Sequence, residues 1–160
     1  MAKKENKTNA ERILEQNGVA YQEMLYECKE FSDGVTVAAL LGLEKEAVFK
    51  TLVAEGRPRN YYVFVVPVAE TLDLKKAAKA ANEKSVSLIH VKDINNVTGY
   101  IRGGCSPIGM KKKYMTFIDE TAQLFDRIYI SGGRIGVQLS LSPDDLCSVS
   151  EAEYIDLIQE

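Results

Sequence analysis

The stretch from Val48 to Val68, VFKTLVAEGRPRNYYVFVVPV, constrains the fold more than any other part of the chain. Two runs rich in β-branched and aromatic residues flank six residues of turn chemistry, Glu55 to Asn60. The pattern predicts a hairpin with strands over 48–54 and 61–68, the second apolar at almost every position. Short helical segments are expected around it. Thr8-Asn9-Ala10-Glu11 reads as a capping box, and Gly18 as the stop of that helix. Residues 35–41 read as a short helix closed by Gly42, 43–47 as a helical turn, and 72–81 as a helix with Asp73 in its first turn. Further strands are expected over 19–26, 86–90, 116–118, 127–130 and 137–141, the last with clear alternation. Ser131 to Gly136 supplies another hairpin turn, and helical turns are expected at 92–97 and 120–125. Ser142 as cap and Pro143 at the first helical position start a final short helix. Hairpins mixed with short helices do not fit strict βαβ winding. The expected class is α+β: a single domain over residues 8–160 with a mixed, curved sheet flanked by short helices, after a flexible N-terminus at 1–7.

The formal net charge is -3, so any nucleic-acid contact has to be local or helped by a partner. No apolar run approaches membrane-spanning length, and the N-terminus lacks a secretory apolar core. Three cysteines, Cys28, Cys105 and Cys147, have no paired spacing, which fits a reducing compartment. The expected localisation is cytoplasmic. One histidine, His90 in an apolar strand, and scattered cysteines form no metal-ligand pattern. No metal and no cofactor are expected.

Two features carry chemistry. Lys50 leads an apolar strand and shares a face with Leu52 and Ala54. It is either a strand-end lysine reaching for water or a fixed cation for a phosphate or a developing oxyanion. The loop Gly103-Gly104-Cys105-Ser106-Pro107-Ile108-Gly109 is either a plain tight turn or a nest whose amides approach a ligand. It lacks the ending of a P-loop. Cys105 reads as a nucleophile only if a base or a positive field lowers its pKa, and Lys111, Lys112 and Lys113 are the nearest source of one. Those lysines are also the best footprint for an RNA phosphate, or simply a solvated face. Tyr26, Tyr61, Tyr62, Tyr100 and Tyr114 either stack on bases or sit half-buried in strands. Ser131 doubles as a turn residue and a pocket wall.

The blocks VFKTLV, VVPV…LDLKKAAKA, TGYIRGGCSPIGMKKK, FIDETA and IYISGGRIG occur in this order. Together they resemble the YbaK/EbsC family of bacterial Cys-tRNA(Pro) deacylases, which is similar to the editing domain inserted in bacterial prolyl-tRNA synthetases. The resemblance runs from about Thr8 to Leu146. It implies hydrolysis of a mischarged aminoacyl-tRNA ester, chiefly Cys-tRNA(Pro) and also Cys-tRNA(Cys). It places the family's essential lysine on Lys50 and its substrate loop on Gly104-Cys105-Ser106-Pro107, with Gly103 also at a site position. Pocket positions fall on Tyr26 and Ser131, with Thr51 beside the lysine. Two positions depart from the pattern: Gln138 stands where the best-known members carry an aspartate, and Phe31 is the nearest counterpart of a pocket aromatic. The family also accepts an aliphatic residue where Cys105 stands.

The implied partners are the acceptor end of an aminoacyl-tRNA and prolyl-tRNA synthetase. The implied mechanism has loop amides receiving the ester oxygen and Lys50 fixing the terminal nucleotide. The substrate's own thiol attacks its ester to release a thiolactone. Three alternatives stay open: a deacylase for another small amino acid such as alanine, a non-enzymatic tRNA- or synthetase-binding module, and a thiol enzyme using Cys105.

Overall fold

In the computed structural model, which describes residues 7–27 and 33–160, the 48–68 stretch forms the expected hairpin. Strand β2 (Phe49–Glu55) pairs antiparallel with β3 (Tyr61–Pro67), in register from Phe49↔Pro67 to Glu55↔Tyr61. The Gly56 N–H donates to the Asn60 carbonyl at 2.9 Å, which closes the turn. Ahead of the hairpin lie α1 (Asn9–Gln16), β1 (Tyr21–Leu25) and α2 (Gly34–Leu41). After it come α3 (Leu74–Ala80), β4 (Ser87–Leu88), α4 (Ile94–Thr98), β5 (Met115–Asp119), β6 (Ile128–Ser131), β7 (Val137–Leu141), α5 (Pro143–Ser150) and β8 (Glu153–Ile155).

β3 is apolar throughout because both of its faces are covered. Val63 and Val65 enter a cluster with Leu14, Phe49, Ile118, Ile130 and Leu139. Tyr62, Phe64 and Val66 enter a second cluster, under α3, with Leu72, Ala77, Ala78 and Phe117. β5 runs parallel to β3 on its far side, giving the mixed order β4-β2-β3-β5-β8. An antiparallel sheet, β1-β7-β6, stands beside it, joined through the parallel bridge Val48↔Tyr129. The α+β class with mixed pairing is as expected, but the one expected sheet is two. The outer side of β2 meets β6 at its start and β4 at its end, and neither partner follows it along its length.

The local signals hold at the helix ends. Thr8 and Glu11 form the reciprocal capping box, and Gly18 and Gly42 both sit at φ +68°. Asp73 is the N-cap of α3 rather than a first-turn residue, accepting from the Lys75 and Lys76 amides. Ser142 occupies the N-cap of α5 but makes no side-chain capping bond, so Pro143 alone fixes that start. Strand β7 alternates in sequence yet is buried at every position. Its polar residues turn inward: Ser140 receives the Arg127 guanidinium at 2.8 Å through its hydroxyl and again through its carbonyl, and Gln138 faces a cavity. β8 was not expected. Three residues carry too little periodicity to mark a strand, and the pairing with β5 makes it one. The Asp119 carboxylate then clamps the chain's end, accepting from the Leu157 amide at 2.9 Å. The expectation for residues 1–7 falls outside the described residues, apart from Lys7, which pairs with Glu15 at 2.6 Å.

Candidate active site

Antiparallel pairing turns the backbone groups of alternate residues to opposite sides. The Val68 N–H donates to the Val48 carbonyl at 2.8 Å, so Lys50, Leu52 and Ala54 bond toward β3. Phe49, Thr51 and Val53 turn their amides and carbonyls to the outer edge. β4 reaches only Ala54 and Glu55, with the Ile89 N–H donating to the Val53 carbonyl at 3.0 Å. At the other end Val48 meets Tyr129, and the parallel pairing goes no further. A cavity of about 420 Å³ fills the gap between the edge of β2 and the end of β6.

The register decides which side chains meet there. Lys50 and Ser131 each lie two residues beyond the bridged pair, which puts them on one face. Gln138 pairs with Ser131 and shares that face. All three line the cavity, with Tyr26, Thr51, Gly103 and Cys105. Segments separated by more than a hundred residues are thereby brought to one chamber. The Lys50 ammonium donates to the Val68 carbonyl at 3.4 Å, a long contact that leaves it free to take a better partner. Burial pulls its pKa below the ordinary lysine value, and the Glu70 carboxylate offsets part of that. Thr51 contributes a buried hydroxyl with no hydrogen-bond partner among the described residues.

The glycine loop is a wall only in part. Ile101 to Gly104 form a turn closed by the Gly104 N–H on the Ile101 carbonyl at 3.0 Å, with Gly103 at φ +86°. That φ is the value of the third residue of a type II turn and favours glycine. A Cβ on Gly104 would stand 3.1 Å from the backbone of Arg134 and Ile135, so only glycine lets the two loops pack this closely. The Gly104 amide is spent on the turn, and Gly104, Ser106 and Pro107 lie behind the cavity rather than on it. Ser106 is fully buried, its hydroxyl accepting from the Ile108 amide at 3.3 Å. Asn9 and Tyr100 brace the far end of the loop, donating to the Gly109 and Ile108 carbonyls at 3.0 and 2.5 Å.

The family model for the aminoacyl-tRNA editing domain matches residues 29–149. The chain belongs to the aminoacyl-tRNA editing domain family. A protein of Enterococcus faecalis (strain ATCC 700802 / V583), named "Putative Cys-tRNA(Pro)/Cys-tRNA(Cys) deacylase EbsC", is 44% identical over 160 residues, 98% of each chain. The fold is also that of hypothetical protein APE2540, with TM-score 0.86, 22% identity, and 95% of this chain and 100% of that one covered. A crystal structure titled as a putative trans-editing enzyme for prolyl tRNA synthetase has TM-score 0.82 and 22% identity, with 98% of this chain and 100% of that one covered. Editing of an aminoacyl-tRNA is hydrolysis of its ester, so the chain is a hydrolase of that class.

In this editing domain the Cys105 thiol is a poor nucleophile. Burial pushes its pKa up to about 11, only partly offset by a hydrogen bond with Thr98. The expected help from the lysines is missing. Lys111 donates to the Asn96 carbonyl at 3.1 Å, Lys113 pairs with Glu151, and none of the three lines the cavity. His90 is exposed beside a 3₁₀ turn instead of lying in an apolar strand. Among the tyrosines singled out, Tyr62, Tyr100 and Tyr114 spend their hydroxyls on Glu83, Ile108 and Val97. Tyr61 packs edge-on against Tyr114, which leaves Tyr26 as the one at the cavity. Phe31 lies outside the described residues. No group of three or more His, Cys, Asp or Glu side chains is placed to hold a metal among the described residues, and no helix there is long and apolar enough to cross a membrane.

Sequence reasoning missed the apolar side of the chamber: Val37, Val68, Leu88, Val91 and Ile94. In one dimension they are indistinguishable from core residues. It also passed over Arg102, the other cationic residue lining the chamber. Its place beside the glycine pair was the available signal.

Proposed function

We propose that the chain is a trans-editing deacylase that hydrolyses Cys-tRNA(Pro), and Cys-tRNA(Cys) as well. The observation that carries this is the convergence of Lys50, Ser131 and Gln138 on one face of a chamber open at the edge of β2. The 44% identical relative of that name and the family match support it. The esterified adenosine enters along the apolar side, and Lys50 holds its phosphate, as a fixed cation in a water-poor site does well. The Gln138 side-chain oxygen accepts from the substrate ammonium, where a carboxylate would add a charge. The ester oxygen points at the open edge of β2, where Thr51 presents its N–H outward, and at the Gly103–Cys105 side of the loop. Gly104 takes no part, because its amide is used.

Among the described residues the chamber's one carboxylate, Asp33, is engaged as the cap of α2, accepting from the Thr36 amide at 2.8 Å, and that bond lowers its pKa and makes it a weak base. The attacking group is the substrate's own thiol: its sulfur bonds to the carbonyl carbon, the ribose oxygen leaves with a proton, and a thiolactone is released. Editing in trans suits a protein with net charge -3, which grips only the acceptor end and depends on prolyl-tRNA synthetase, in the cytoplasm, for the choice of tRNA.

Single-turnover deacylation tests this. The wild type is expected to cleave Cys-tRNA(Pro) at least about tenfold faster than Ser-tRNA(Pro) or Ala-tRNA(Pro), because only the first carries a thiol. Cys105→Ala is expected to keep most of that rate. Equal cleavage of the serine ester rules out thiol assistance, and loss of activity in Cys105→Ala makes the protein a thiol enzyme. Preferred cleavage of the alanyl ester moves the substrate to alanine.

The pH profile probes Lys50 separately. Its charged form is the working one, so activity falls as pH rises through its lowered pKa. Glu70 raises that pKa, so Glu70→Gln lowers it further. The alkaline fall, corrected for spontaneous ester hydrolysis, should begin at lower pH in Glu70→Gln than in the wild type. An unmoved or upward-shifted limb would show that Lys50 does not set it.

A further inference from the structure

Lys50 lies between two cavities. Beyond the chamber, a wider groove of about 890 Å³ continues on the α3 side of β2. The two share Lys50, Leu52 and Leu88, so a ligand can run from one into the other past the Lys50 ammonium. The groove's far wall is the start of α3, with Leu74 and Lys75, and the end of the chain at Gln159 and Glu160.

Two of its charged side chains, Asp73 and Lys76, are committed. The Asp73 carboxylate is turned onto the Lys75 and Lys76 amides at 2.9 and 3.1 Å. Lys76 is held by Asp156 at 2.9 Å and by the Ile158 carbonyl at 2.7 Å. Lys75 is exposed and has no ion pair among the described residues. Glu160 is the acidic residue left on the rim. Leu74 and Leu88 stay 42% and 47% exposed and offer apolar surface on which a base can lie.

An aminoacyl-tRNA is an ester on the last nucleoside of a single strand, so a chamber that takes the ester must let the preceding nucleotides out. We propose that this groove carries them: the two nucleotides before the esterified adenosine pass Lys50 and Lys75 with their phosphates and lay their bases on Leu74 and Leu88. The assignment rests on the deacylase function above. It names what that function leaves open, the path of the RNA away from the chamber. Single-stranded RNA suits such a groove because every base offers an apolar face and every link a phosphate.

The test is a length series of cysteinyl esters, on 5′-AMP, on the dinucleotide pCpA and on the trinucleotide pCpCpA, each measured as kcat/KM, so that the phosphate held by Lys50 is present throughout. For the wild type, kcat/KM should rise about tenfold from the 5′-AMP ester to the CCA ester. The CCA substrate should also show the steeper salt dependence, by about 0.7 in log–log slope for each added phosphate contact. Lys75→Glu and, independently, Leu74→Asp should cut the gain to roughly threefold or less, while Lys75→Arg keeps most of it. A wild type that cleaves the charged tRNA yet gains nothing from lengthening overturns the groove and leaves the deacylase function standing. An equal gain in Lys75→Glu, Leu74→Asp and the wild type does the same. A wild type that cleaves neither these esters nor the charged tRNA overturns both.

Discussion

Replacing Lys50 with alanine lowers kcat/KM for the cysteinyl ester by about two to three orders of magnitude and leaves the melting temperature unchanged or slightly raised. The activity loss follows from position. A preorganised cation in a water-poor site is worth about 10²–10³ in rate when removed. The stability result follows from the cost of the charge. Burial already works against the Lys50 ammonium, and the one hydrogen bond it makes among the described residues, to the Val68 carbonyl, is long at 3.4 Å. The fold gains little from this side chain, so losing it relieves as much as it removes. Lys50→Arg should restore only part of the rate, because a planar guanidinium does not present its charge where an ammonium does. Single-turnover deacylation and a thermal melt decide together. A loss below about tenfold would remove Lys50 from the centre of the site, and a melting temperature that fell with the activity would make the loss structural.

The largest effect on stability is expected from Phe64→Ala. Phe64 has no exposed surface, faces Leu52 across the hairpin, and stacks on Phe117 with ring centroids 5.6 Å apart. Truncation leaves a cavity that β3, held between β2 and β5, cannot collapse into, at a cost of about 3–5 kcal/mol. A domain of this size should melt about 10 °C lower. Denaturant unfolding checks it, with Phe64→Leu as the milder partner. A cost under about 1 kcal/mol would mean that the second cluster is looser than its burial indicates. Since Phe64 backs the strand that carries Lys50, activity should weaken at temperatures where the variant is still folded.

The candidate site was legible where chemistry is marked by residue type. Lys50 stands out as a charge heading an apolar strand, and a double glycine beside a proline marks a tight loop. The chamber's other polar members carried a weaker signal: Ser131 belongs to a turn, Thr51 to a strand, and Gln138 to what looks like an ordinary exposed position of an alternating strand. The expectation for the loop was too generous because sequence cannot say which amides a turn consumes. Gly104 spends its own on Ile101, and Ser106 and Pro107 pack behind it. The sequence made Cys105 a nucleophile only on condition of a base or a positive field, and the structure meets neither condition: burial, partly offset by Thr98, raises the thiol's pKa, and Lys111 and Lys113 are bonded elsewhere.

Local signals determined much of the fold. The capping box at Thr8 and Glu11, the glycine stops at Gly18 and Gly42, and the turn at 55–60 each act over a few residues, where chain chemistry dominates. The five ordered blocks were enough to identify the family. Three things were decided only by the tertiary structure: the division into two sheets, the strand at 153–155, and the open edge of β2 that makes the chamber. Each depends on which strand lies beside which, and pairing between distant segments is set by how apolar faces are jointly buried. A one-dimensional pattern does not contain that information.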